Sequence, residues 1–248
     1  MFVGLLSLTC AVALAGIYVV LKPRTDKVLE LDQKTKILGA VMDVSSMKGT
    51  EVDSIYAARI VALVLDKEGN EIKGEDPTKV DVEKQYKSGN PQKFPLYKLK
   101  SDVDTSKYES VIIPLYGNGL WDNIWGFISV GGDFNTITGA VFDHKAETPG
   151  LGAKITEPYV QNRFKGKQIF KEDGSFKGVK MQKGEGYNYD NDLHKVDGLS
   201  GATMTGAGLN QMLISYFQYY EPYFKKQLEK NGSAVESKDG FKINRNNK

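Results

Sequence analysis

The hydrophobic pattern begins with one long block. Phe2 to Leu21 is twenty residues without a charge, which at ~1.5 Å per helical residue reaches ~30 Å, the hydrocarbon thickness of a bilayer. Residues 1–21 therefore read as a transmembrane helix. Val28, Leu31, Leu38, Val41 and Met42 then recur at helical spacing and predict an amphipathic stalk over residues 22–45. Arg59 to Leu65 is a β-branched apolar run followed by Asp66-Lys67-Glu68-Gly69-Asn70 and Ile72, a strand entering a hairpin. Lys79 to Lys107 is rich in Lys, Asp, Pro and Tyr with weak periodicity and reads as a surface excursion. Ser110–Tyr116, Trp125–Val130 and Thr136–Asp143 read as strands, with Gly131-Gly132-Asp133 as the turn between the last two.

Beyond these, Glu157 to Phe164 predicts a short helix, and Gln168-Ile169-Phe170 and Gly178-Val179-Lys180 predict short strands. Leu209, Met212, Leu213, Tyr216, Phe217 and Tyr220 share one helical face, which reads as core. Trp121 and Trp125 read as hairpin core. From Asn231 the chain is polar, and residues 231–248 read as a disordered tail. The expectation is one α+β domain over residues 46–230, β-rich at its centre, on an N-terminal transmembrane helix.

Composition narrows the chemistry. The first 21 residues hold 17 apolar residues, and the remaining 227 are roughly 36% apolar, a polar but foldable composition. A formal charge of +2 gives no electrostatic case for nucleic acid. A single cysteine, Cys10, excludes an intrachain disulfide and a cysteine-rich metal site, and two histidines, His144 and His194, leave little for a histidine-based one. A cleaved signal peptide is the rival reading of the apolar block, but nothing basic precedes it. Lys22, Arg24 and Lys27 follow it, so the positive-inside rule places the domain in the cytoplasm.

Several constellations fail on context. His194, Asp197 and Ser200 are near in sequence, yet a hydrolase triad is defined by geometry. The two G-x-G segments, at Gly117 and Gly206, lack the third glycine of a dinucleotide fingerprint. Asp143, Glu147 and Asp173 do not have calcium-loop spacing. The segment Asp197 to Gly208 is dominated by small residues and runs into the aromatic-faced helix. One reading makes Ser200, Thr203 or Thr205 an N-cap after a glycine turn. The other makes the segment an anion site, because a helix N-terminus presents free N–H groups and glycine admits a ligand to the backbone. Glu147 to Gly152 supplies a second small-residue wall.

Asp197 to Thr203, D-G-L-S-G-A-T, resembles the flavin-attachment motif of the FMN-binding domain shared by two ion-pumping redox complexes. Glu147 to Gly152, E-T-P-G-L-G, resembles that domain's second motif. Pro114 to Trp121, P-L-Y-G-N-G-L-W, resembles the version in the C subunits of the Na+-translocating NADH:quinone reductases; the G subunits of the Rnf complexes usually lack it.

The resemblance implies an FMN joined through its phosphate to the hydroxyl of Thr203. A threonine hydroxyl is a weak nucleophile and the motif holds no histidine to activate it. This agrees with attachment by a separate flavin transferase using FAD and a divalent metal, and makes Thr203 a modified residue, not a catalytic group. Ser200, Gly201 and Ala202 would admit transferase and phosphate to the backbone. Thr148, Gly150 and Leu151 would lie beside the isoalloxazine, with Leu151 as apolar contact and Thr148 or Glu147 as polar contact.

By the same resemblance the chain would relay single electrons within a complex that oxidises NADH, reduces quinone and exports Na+. Its partners would be the B, D and E membrane subunits, the NADH-oxidising F subunit, and the lipid bilayer. The family places the domain on the periplasmic side of the inner membrane, against the charge rule. Alternatives are the G subunit of an Rnf-type electron transport complex and a membrane-anchored flavin sensor or assembly module without turnover.

Overall fold

The structure, a computed structural model, describes residues 2–104 and 107–240, without the side chains of 231–240. The chain runs α1 (Phe2–Gly39), α2 (Gly49–Arg59), β1 (Ile60–Leu65), α3 (Val82–Lys87), β2 (Phe94–Lys100), β3 (Tyr108–Asn118), β4 (Asn123–Gly131), β5 (Ile137–His144), α4 (Pro158–Gln161), β6 (Lys180–Met181), β7 (Lys195–Val196) and α5 (Thr203–Gly240). β1 to β5 form one antiparallel sheet in sequence order, and β6 pairs with β7 in a separate parallel pair. The mixed α+β class expected from the sequence is what the chain adopts.

The apolar block and the stalk are one helix. α1 is 38 residues, ~57 Å at the usual rise, and it continues through Pro23 to Gly39. It ends six residues before the predicted Ser45. Among the described residues it is the one helix long and apolar enough to cross a membrane. Its last turns dock on the sheet. Lys36 bridges Asp32 at 2.8 Å and Asp143 of β5 at 2.6 Å, while Lys34 bridges Glu30 at 2.6 Å and Asp53 of α2 at 2.8 Å.

The sheet is covered on both faces. Leu96, Val111, Ile113 and Ile128 face a large core completed by α5, whereas Tyr97, Leu99, Ile112 and Phe127 face Ile37 of α1 and Ala40 just after it. Consecutive residues of β3 thus enter opposite cores, as the two-residue period of a strand requires. This is why its sequence reads as an unbroken apolar run. All six residues of the predicted helical stripe, Leu209 through Tyr220, are buried in the larger core.

One expectation is overturned. The segment read as a surface excursion contains β2, an inner strand paired with β1 on one side and β3 on the other. Pro95 and Lys98 had disguised it. The Lys98 ammonium sits over the rings of Tyr108 and Tyr223 at 5.1 and 5.8 Å, so a basic residue is accommodated on an inner strand. Tyr220 of α5 donates its hydroxyl to the Pro95 carbonyl.

α2 was also unforeseen; only Val52 of its eleven residues is buried, so it carries no apolar stripe to read. At the other end, α5 keeps the backbone helical to Gly240, past the expected start of the tail, and residues 241–248 lie outside the described residues.

Candidate functional site

Three small-residue segments meet at the start of α5: the loop from β3 to β4, the segment after β5, and the segment that becomes α5. Glu147 joins them. It is 4% exposed, and its Oε1 accepts from the N–H groups of Leu120 at 2.7 Å and Trp121 at 3.0 Å. Its Oε2 accepts from the Thr205 hydroxyl at 2.6 Å. Both oxygens have donors, so Glu147 ties the three segments together.

The glycines around Glu147 are there for room. A Cβ on Gly119 would lie 2.3 Å from Oε1, one on Gly152 2.3 Å from Oε2, and one on Gly208 2.1 Å from the Asn118 carbonyl. Backbone and carboxylate can approach this closely only where no side chain intervenes.

The start of α5 leaves its donors open. Gly206 N–H donates to the Ala202 carbonyl at 2.9 Å, which puts Ala202, 3% exposed, at the N-cap. Alanine offers no side-chain acceptor. None of the three sequence candidates caps the helix: Thr205 serves Glu147, Ser200 donates its N–H to Glu185 at 3.1 Å, and Thr203 is exposed. Among the described residues no side chain caps the N–H groups of Thr203, Met204 or Thr205, and none bonds the Thr203 hydroxyl. Such an end favours an anion.

Beside it lies a cavity of about 450 Å3 lined by Lys180, Met181, Lys183, Leu199, Ala202 and Thr203, among others. The second motif sits against the first: a Cβ on Gly201, whose φ is +70°, would be 2.8 Å from Leu151 Cδ2. Leu151 is 42% exposed, Gly150 is exposed with φ +76°, and Thr148 is exposed and accepts from Trp121 Nε1 at 3.1 Å. Trp121, at 68% exposed, is therefore not hairpin core, whereas Trp125 does pack against the large core.

An open hydroxyl at an uncapped helix end, next to uncovered leucine and tryptophan, fits a phosphorylated aromatic group. Ser200, Gly201, Thr203, Thr148, Gly150 and Leu151 come together at this surface; Ala202 and Glu147 lie beneath it.

Sequence reasoning missed two residues. Arg163 donates from Nη1 to the carbonyls of Asp197 at 3.2 Å and Gly198 at 2.6 Å, and from Nη2 to Glu185 at 3.1 Å. Glu185 is held below the ordinary carboxylate range by the Ser200 N–H, aided by Arg163 and Lys154. Neither residue lies in a recognisable motif, and only the folded chain brings them to the loop.

The dismissed constellations have other partners. His194 Nδ1 lies 2.8 Å from the Gln168 carbonyl, and Asp197 accepts from the N–H groups of Gly186 and Tyr187. Asp173 caps Ser175, and Asp143 pairs with Lys36. No group of three or more His, Cys, Asp or Glu residues suited to a metal occurs among the described residues.

Residues 119–217 match the FMN-binding domain family, a stretch that contains both the 147–152 and 197–203 segments. The C subunit of the Na(+)-translocating NADH-quinone reductase of Pasteurella multocida is 33% identical over 83% of this chain and 84% of its own. That of Neisseria meningitidis serogroup B is 33% identical over 89% and 90%. The crystal structure of the C subunit from Parabacteroides distasonis superposes with a TM-score of 0.71 at 33% identity, covering 82% of this chain and 96% of that one. With sequence and fold in accord over most of its length, the chain belongs to the family of C subunits of the Na+-translocating NADH-quinone reductases.

Proposed function

We propose that this chain is the membrane-anchored subunit that carries an FMN, phosphoester-linked to Thr203, and relays single electrons between other subunits of a Na+-pumping NADH:quinone reductase. The observation that carries the reading is the position of Thr203. Its hydroxyl is open at the uncapped first turn of α5, with Gly201 and Leu151 of the two motifs in contact beside it. When bound, the flavin would supply the one-electron chemistry.

The protein's own contributions are positional. The free N–H groups of Thr203, Met204 and Thr205 suit the single negative charge of a phosphodiester. Leu151 offers an apolar surface to the ring system, and Thr148 a hydroxyl already oriented by Trp121. Ala202 and Leu199, 3% and 2% exposed, fix the loop from beneath. Attachment joins the Thr203 oxygen to the flavin-side phosphorus of FAD. The pyrophosphate bond breaks, AMP departs with the bonding pair, and the hydroxyl proton is released. A separate flavin transferase with a divalent metal performs this step.

The relatives are named as one subunit of a Na(+)-translocating NADH-quinone reductase, and the partners proposed for this chain are the B, D, E and F subunits of such a complex. It would accept from an iron–sulfur centre in the membrane part and donate toward the FMN of the B subunit. α1 anchors the chain in the inner membrane, with the domain on the periplasmic side. Support for the anchor is a helix of mean hydropathy 2.3 over its most apolar window, with none of that window buried in the protein. Protease added to intact spheroplasts tests the orientation. Digestion of the domain before lysis is expected, and digestion only after lysis contradicts it.

Attachment is tested by coexpression with the transferase and denaturing electrophoresis under ultraviolet light. A fluorescent band is expected, absent in Thr203→Val; an undiminished band in the variant sinks the assignment.

A further inference from the structure

The loop that ends at Thr203 is latched to residues 182–187, a strap with no regular structure. The latch is reciprocal. Asp197 of the loop accepts from the strap's Gly186 N–H at 2.8 Å and Tyr187 N–H at 3.2 Å. Glu185 of the strap accepts from the loop's Ser200 N–H at 3.1 Å. Between them the two backbones touch at Gly198, where a Cβ would lie 2.0 Å from the Gln182 carbonyl and 2.2 Å from that of Gly184.

Arg163 closes the latch. One face of its fork takes the carbonyls of Asp197 and Gly198, and the other takes Glu185 at 3.1 Å, with Asp197 Oδ2 3.7 Å away. Its guanidinium lies over the Tyr159 ring at 5.1 Å and is 18% exposed. Lys154 adds a second cation 3.5 Å from Glu185.

We propose that Arg163 and Glu185 are positioning residues for flavin loading: they hold residues 197–202 in the one arch that presents the Thr203 hydroxyl to the transferase. The inference rests on attachment at Thr203. Leu199 and Ala202 fix the arch from the core side, while Arg163 and Glu185 fix its carbonyls and N–H groups from the other. Transfer requires the hydroxyl oxygen in line with the flavin-side phosphorus, so a wandering loop is ordered anew at each encounter. That ordering cost falls on binding of the chain to the transferase. A planar fork serving two carbonyls and a carboxylate is not replaced by an ammonium.

The test uses the full chain in detergent, expressed without transferase, then mixed with purified transferase, FAD and Mg2+. The initial rate of covalent flavin fluorescence is measured against chain concentration. Arg163→Gln is expected to raise KM for the chain about tenfold with kcat unchanged, and Glu185→Ala about threefold. Arg163→Lys recovers part of the loss. An unaltered KM in these variants, or faster loading in Arg163→Gln, overturns the proposal. If Arg163→Gln does not fold, Glu185→Ala decides alone, since its strap makes no core contact that the substitution removes. A wild-type chain that takes no covalent flavin, or a Thr203→Val chain that takes as much, overturns the attachment reading instead.

Discussion

Thr205 and Glu147, 58 residues apart in sequence, are joined by a buried hydrogen bond of 2.6 Å that fixes the first turn of α5 to the segment after β5. Everything in the proposed site hangs on this junction. Thr203 lies two residues before one partner, and Leu151 lies four residues after the other.

Thr205→Val leaves one carboxylate oxygen without a donor and is expected to cost about 1.5–3 kcal/mol, the worth of a hydrogen bond to a charged group. Glu147→Ala strands three donors at once and is expected to cost more, about 3–5 kcal/mol. The double variant is then no worse than Glu147→Ala alone, because the shared interaction is lost only once. Urea unfolding of the four proteins checks this. Additive losses contradict it.

Gly208→Ala and Gly150→Ala separate two uses of glycine. A Cβ at 208 meets the Asn118 carbonyl at 2.1 Å, whereas one at 150 meets nothing within 4 Å but stands at φ +76°. Gly208→Ala is therefore expected to destabilise by more than about 2 kcal/mol through backbone displacement, and Gly150→Ala by about 1–2 kcal/mol through local strain. Thermal unfolding orders the two; the reverse order contradicts the packing described.

The tyrosines set an alkaline limit. Burial pushes Tyr223 up to about 12 and Tyr97 and Tyr216 higher still, and it raises Tyr220 well above the ordinary tyrosine value. A group raised in the fold binds its proton more tightly there than in the unfolded chain. Its stabilisation is complete below the unfolded value of about 10 and is lost as pH rises through the folded one. Lys36, where burial is outweighed by hydrogen bonds to Asp143 and Asp32, is raised and acts in the same direction. Lys98, lowered by burial, acts oppositely. Stability is expected to fall steeply above pH 10, with tyrosinate absorbance from these residues appearing together with unfolding. Absorbance that rises while the circular dichroism stays native contradicts the buried placement.

The sequence made legible what depends on short-range pattern. Strands β3 to β5 and the buried stripe of α5 each follow from the spacing of apolar residues, and each is found within a few residues of its expected bounds, whereas the apolar block is only the first part of α1, which continues to Gly39. β2 escaped because its signal is tertiary: Lys98 is tolerated by two aromatic rings that arrive from β3 and α5. α2 escaped because only Val52 is buried.

At the site, the two motifs were readable as motifs and their contact at Gly201 and Leu151 follows. The role of Glu147 was not readable, since its partners lie 26, 27 and 58 residues away. Arg163 and Glu185 carry no local signature at all.

The claim that Thr203 holds the flavin is tested most directly by proteolysis and mass spectrometry of the chain coexpressed with its transferase. The peptide containing Thr203 is expected to gain the mass of one FMN less water, with fragmentation placing the increment on Thr203. An increment on Ser200 or Thr205, or a chain whose flavin is released intact on denaturation, contradicts it.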